Sequence, residues 1–193
     1  MRRRTTSAAD APLRAFGDAL RRARARRRAV HRRLAWGAIG CAAALLPALV
    51  PPAPRLIWNA SASAPIGLYA VHPGAAPQVG DMVAARLPAG WRDFAALRHY
   101  LPANVPLVKR VAAVPGDSVC AKGDLAFVRG RVAALRRPRD RYGRPLPQWQ
   151  GCRTLASGQL FLLMDHPDSF DGRYFGTSEA GDVIGKARLL WAR

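Results

Sequence analysis

Three short segments of this 193-residue chain bring hydroxyl, amine and carboxylate groups into otherwise apolar surroundings. The first, Asn59-Ala60-Ser61-Ala62-Ser63-Ala64-Pro65-Ile66-Gly67-Leu68-Tyr69, offers two serines. The second, Val108-Lys109-Arg110-Val111-Ala112-Ala113-Val114-Pro115-Gly116-Asp117, sets a lysine inside a strand-like apolar run. The third, Ser169-Phe170-Asp171-Gly172-Arg173-Tyr174-Phe175-Gly176, adds a hydroxyl, a carboxylate and a guanidinium. A serine attacks an amide only when a base takes its proton, and a lysine does so once its pKa falls from about 10.4 toward 7 or 8. Desolvation by neighbours such as Val108 and Val111 would supply that fall. Each segment alone also has a plainer reading: a Ser-rich polar linker, or an edge-strand lysine facing solvent. A serine and lysine pair needs no imidazole, so His31, His72, His99 and His166 are left as structural or surface residues. No CxxC or His/Cys cluster has metal-ligand spacing, and neither metal nor cofactor is expected.

The elements that must position these groups are short. Gly67 to Val71, Asp81 to Leu87, Val105 to Val114, Ala126 to Leu135, Gln159 to Met164 and Asp182 to Trp191 are apolar or alternating runs bounded by Gly, Pro and Asp. Such spacing predicts a mainly β, antiparallel domain, with a hairpin turn at Arg129-Gly130. Trp91 to Leu101 reads as a short helix or an irregular insertion. Arg136 to Gln150, rich in Pro and Arg, reads as a solvated loop.

Charge divides the chain. The formal net charge is +19, and residues 2 to 33 carry +10 of it, with 12 Arg against Asp10 and Asp18. From Leu34 to Pro54 no charged side chain occurs, and the helix-compatible part, Leu34 to Val50, lies at the lower edge of the length that crosses a bilayer. Pro47 falls inside it, and Trp36 and Trp58 stand where interfacial aromatics would lie. The expected organisation is a basic cytoplasmic arm (1–33), an uncleaved transmembrane signal anchor (34–54) and an exported domain (55–193), because basic flanks stay on the cytoplasmic side. A buried core helix is the competing reading of residues 34–54. Cys41 lies in that stretch. Cys120 and Cys152 fall in the exported part, where they form a disulfide or remain as two small buried thiols.

Taken together, the three segments resemble the conserved boxes of type I signal peptidases, membrane-bound Ser/Lys proteases that cleave export signals. The resemblance is nearest to the conjugative-transfer branch, the TraF-type pilin-maturation peptidases, whose nucleophile box has the form Asn-x-Ser-x-Ser-x-Pro-x-Gly-Leu-Tyr. It implies a signal-peptidase-like antiparallel β catalytic domain behind one N-terminal transmembrane helix, in the bacterial inner membrane with the catalytic domain periplasmic. It also implies roles: Ser63 as nucleophile, Lys109 as general base, Ser169 orienting the lysine, and Asp171 with Arg173 as a supporting ion pair. Ser61 falls where housekeeping members place an oxyanion-hole hydroxyl. Gly172 departs from the Ser usual in those members. The implied substrate is a pilin or secreted precursor, cut just outside the membrane after small residues, and some relatives of this branch also join the ends of the pilin.

Rival classes are a nucleic-acid binder, a non-enzymatic membrane-anchored pilus or secretion component, and a self-cleaving repressor with a similar dyad. The basic charge precedes an apolar stretch, which suits anionic inner-leaflet lipid better than nucleic acid. No DNA-binding signature accompanies the dyad.

Overall fold

The computed structural model describes residues 11–49 and 53–193, which fall into two compact units divided between Pro52 and Ala53. In the first unit one helix, α1 (Ala11–Leu49), runs through both the arginine-rich and the apolar residues. The expected boundary at residue 34 is therefore a change of side chain and not of backbone. Arg, Ala and Leu are all strong helix formers, so nothing stops the helix there. Among the described residues no helix is long and apolar enough to cross a membrane. The rest of the expected anchor reaches into residues 50–52, and the first part of the arm into 1–10; both lie outside the described residues.

The second unit is built of antiparallel strands. A seven-stranded sheet has the order β1-β2-β11-β3-β4-β9-β10, from β1 (Leu56–Asn59), β2 (Gly67–His72), β3 (Met82–Ala85), β4 (Leu107–Ala113), β9 (Gln159–Leu163), β10 (Ser178–Glu179) and β11 (Val183–Ala192). A four-stranded sheet, ordered β7-β6-β5-β8, comprises β5 (Ser118–Lys122), β6 (Leu125–Val128), β7 (Arg131–Leu135) and β8 (Gly151–Thr154). Two short helices, α2 (Ala89–Leu97) and α3 (Gly172–Phe175), complete the unit. Arg129 and Gly130, both at positive φ, turn β6 into β7, as their sequence signature predicts.

Alternation along the strands sorts the core onto different faces. Val83, Ala85, Leu107, Val111 and Leu162 pack with α2 and the aromatic residues Trp91, Tyr100, Phe170 and Phe175. Ile57, Tyr69, Val71, Ala84, Val108 and Met164 form a second cluster. A third, with Val119, Val128, Leu155 and Phe161, joins the smaller sheet to the larger.

The segment 136–150 is a mostly exposed loop, as expected, but two of its side chains tie it to the domain. Arg136 is buried, donating to Gly123 O (3.2 Å). Asp140 accepts from Tyr100 Oη, from Arg144 Nε (2.7 Å) and from the backbone N–H groups of Tyr142 and Arg144 (both 2.9 Å). These contacts anchor the segment to the domain at Arg136 and Asp140 despite its Pro and Arg content.

Gly67 shows how tightly β2 meets its neighbour: a Cβ there would lie 2.0 Å from the backbone oxygen of Trp191 on β11. Neither strand can yield without breaking ladder bonds. Gly67→Ala is accordingly expected to destabilise the domain by about 2 kcal/mol or more. Urea unfolding checks this, and an unchanged midpoint would contradict the close approach.

Candidate active site

Lys109 lies in the middle of β4, itself an interior strand between β3 and β9, so it is not an edge-strand lysine. The pleat puts Leu107, Lys109 and Val111 on one face, with Val83 directly across from the lysine. Val111 is thus an apolar neighbour, as the sequence suggests, whereas Val108 turns to the opposite face. Only 3% of Lys109 is exposed. Burial pushes its amine down from 10.5 to about 8, a shift opposed by the Asp171 carboxylate and reinforced by the Arg173 guanidinium.

Two hydroxyls meet this amine. Ser63 Oγ is 3.0 Å from Lys109 Nζ and Ser169 Oγ is 2.6 Å from it, across 46 and 60 residues of chain. Ser63 is half-buried and Ser169 is fully buried. The nucleophilic candidate thus stays reachable from outside while the amine is held in the interior. At 3.0 Å the serine proton can pass directly to a neutral amine.

The serine loop is shaped by its own box. Asn59, buried at the end of β1, donates through Nδ2 to Ser61 O (2.9 Å), Ala64 O (3.2 Å) and Pro65 O (3.0 Å). Its Oδ1 accepts from Ser61 N, and Tyr69 Oη donates to Pro65 O (2.8 Å). Asn59 and Tyr69 therefore clamp the turn from both ends, a role that sequence reasoning did not assign to them. The signal was there: an Asn at a strand end before a Ser/Pro turn bonds to the backbone just beyond it. Ser61 Oγ accepts from Ser63 N (3.3 Å) and lies 3.0 Å from Ser63 Oγ. Ser63 N–H is thus engaged with the Ser61 hydroxyl, the group for which the resemblance implies a place in an oxyanion hole.

The third segment wraps back on β9. Asp171 caps α3, its Oδ1 accepting from Arg173 N (3.1 Å) and Nε (2.8 Å) and its Oδ2 from Met164 N (3.0 Å). Arg173 in turn donates to Met164 O and to Leu135 O (3.2 Å). Both side chains are buried, and besides bonding to each other they tie α3 to the backbone of Met164 and Leu135. Gly172 fits because a Cβ there would come within 2.8 Å of Leu162 O and 2.9 Å of the Phe161 ring.

Cys120 and Cys152 are cross-strand partners in β5 and β8 and are joined by a disulfide; Cys41 is free. Among the described residues no group of His, Cys, Asp or Glu could hold a metal ion.

A family model described as signal peptidase, peptidase S26, matches residues 29–192. The chain belongs to the S26 signal peptidase family. Within it, similarity runs to the TraF proteins. The plasmid transfer protein TraF of Escherichia coli is 35% identical over 172 residues, covering 80% of this chain and 94% of that protein. The conjugal transfer protein TraF of Agrobacterium fabrum is 32% identical over 143 residues, 69% of this chain and 80% of that one. The crystal structure of a signal peptidase I from Enterococcus faecalis is 21% identical, covers 58% of this chain and 97% of that chain, and has a TM-score of 0.34. The family match spans all three boxes and the strands that carry them.

A lysine whose pKa drops on folding makes stability depend on pH with a known sign. Between about 8 and 10.5 the unfolded chain holds a proton that the folded chain lacks, so stability rises with pH across that window. Below it both states are protonated and the full burial cost stands. Lys109→Met is expected to lack this rise, so that the wild type gains up to about 3 kcal/mol relative to the variant between pH 7 and pH 10. Urea midpoints measured across that range test it, and parallel pH curves would show that Lys109 is not buried as a costly cation.

Proposed function

We propose that this S26 family member is a membrane-anchored serine endopeptidase in which Ser63 is the nucleophile and Lys109 the general base. The observation that carries this reading is the buried Lys109 amine in hydrogen-bond reach of both Ser63 and Ser169. The neutral amine takes the Ser63 proton as Oγ bonds to the scissile carbonyl carbon. The resulting ammonium then protonates the leaving amine as the C–N bond breaks. Water, deprotonated by the amine again neutral, hydrolyses the ester and returns the proton to Ser63. Ser169 orients the amine, and Asp171 with Arg173 fixes the backbone that carries Ser169. On this reading the Ser61 hydroxyl and the Ser63 N–H release each other and turn to the oxyanion when substrate binds.

The substrate is a precursor cut at the outer face of the bacterial inner membrane, a pilin or a secreted protein. The names of the relatives favour conjugative transfer as the setting. Membrane anchoring through residues 34–54 is supported by the side chains of α1: Leu34, Trp36, Ile39, Leu45, Leu46 and Leu49 are all exposed and spread widely around the helix at 100° per residue. Trp58 and Trp191, exposed with ring centroids 5.8 Å apart, suit the interface on the exported side. The arginine arm would then lie against anionic lipid on the cytoplasmic side, each arginine contributing about 1 kcal/mol.

In detergent, wild type is expected to cleave a pilin-like or signal-peptide precursor, and folded Ser63→Ala and Lys109→Ala to lose at least about 1000-fold in kcat. Cleavage retained by Ser63→Ala would transfer the nucleophile to another serine. Ser61→Ala should lower kcat about 100-fold with little change in KM if its hydroxyl serves the oxyanion.

The pH profile gives an independent test. Because only the neutral amine is competent, kcat/KM should rise tenfold per pH unit and level above about 8. A flat profile from pH 6 to 10 would remove Lys109 as the base.

A further inference from the structure

The stretch between Cys120 and Cys152 leaves the body of the domain along β5 and comes back along β8, and the disulfide closes it at the base. Three groups on it, Leu135 and Arg137 near its middle and Trp149 close to its base, reach α3, and they reach three successive residues of it. Trp149 Nε1 donates to Gly172 O (3.1 Å), Leu135 O accepts from Arg173 Nη1 (3.2 Å), and Arg137 N donates to Tyr174 Oη (3.0 Å). The same short element also carries the groups that set the lysine in place. Asp171 caps it, and Ser169, two residues before the cap, contacts the Lys109 amine.

A helix of four residues cannot fix its own position, since it holds too few internal hydrogen bonds to offset the ordering of its backbone. Its neighbours must do so. β9 supplies one side, through Met164 and through the close packing of Leu162 and Phe161 on Gly172. The disulfide-closed excursion supplies the other. Trp149 contributes both a donor and a surface: its ring meets Phe161 edge-on at 6.1 Å, while Phe161 is itself in contact range of Gly172. Gly172 is thereby held between a hydrogen bond at its carbonyl and an aromatic ring at its Cα. Its carbonyl also accepts from Gly176 N (2.9 Å), so both lone pairs are used.

We propose that Trp149 is a positioning residue for the reaction, holding Gly172 from the disulfide-closed excursion and, through the adjoining backbone, keeping Ser169 on the Lys109 amine. This rests on the reading of Ser63 and Lys109 as the reacting pair. Loss of the Trp149 donor leaves the Gly172 carbonyl held by Gly176 N alone, loosens the Ser169 contact and lets water closer to the amine. The rate of the chemical step falls. Substrate binding, which takes place at the exposed side of Ser63, changes little.

Trp149→Phe keeps an aromatic ring against Phe161 and removes only the N–H donor. Tyr174→Phe, which removes the acceptor of the Arg137 bond and keeps the ring, is the second probe should the first fail to fold. For folded full-length protein in detergent, each is expected to lower kcat about fivefold with KM within about twofold. Each should also raise the Lys109 titration midpoint, followed by NMR of 13C-labelled lysine, by about half a unit. Unchanged kcat and an unchanged titration in folded Trp149→Phe would overturn the proposal, as would the same result in Tyr174→Phe should Trp149→Phe not fold. The NMR titration needs no substrate, so a shifted midpoint in a protein that cleaves nothing would strike the reacting-pair reading and leave the positioning role standing.

Discussion

A lysine amine held in the interior of a β-sheet, within 3.0 Å of a serine that is itself open to solvent, governs the arrangement around it. Taking an ammonium out of water is expensive, and the protein lowers the cost by letting the amine lose its proton near neutral pH. Such a site needs rigid surroundings. A lysine on an edge strand or a mobile loop would swing to water and recover its ordinary pKa. Placing Lys109 on β4, with a strand on each side, removes that escape.

The same reasoning explains the buried ion pair beside it. Asp171 and Arg173 gain little net stability from each other, since desolvation offsets most of their attraction. Their value is geometric. Between them they bind Met164 N and O on one side and Leu135 O on another, which joins the end of β9, helix α3 and the end of β7 at one point. Their charges act in opposite directions on Lys109, so the pair can sit near the amine while burial remains the main cause of its lowered pKa.

Some of the fold was legible residue by residue. The Arg129-Gly130 turn and the apolar run around Lys109 follow from local rules about φ and alternation. Other elements were not. β1, β5, β8 and β10 are short, at two to five residues each, and β8 is exposed along its length, so none carries a periodic signal strong enough to read alone. The anchors of segment 136–150 were hidden for a different reason. Proline and arginine mark loops on average, yet here Arg136 and Asp140 find partners from other parts of the chain, and such partners have no trace in local composition.

The sequence by itself pointed to the chemistry proposed for this chain, a Ser/Lys pair in ordered boxes with an Asp and an Arg beside it, and it determined a basic arm ahead of an apolar stretch and a mainly antiparallel β domain. These follow from residue type, spacing and resemblance, all of which are local or compared box by box. Only the tertiary structure decided that Lys109 is interior and not edge, that Val108 turns away from it while Val111 does not, and that Asn59 and Tyr69 shape the serine loop. It alone brought Trp149 to Gly172. Each of those facts depends on which strand lies beside which, and strand order is set by long-range burial that no window of sequence contains.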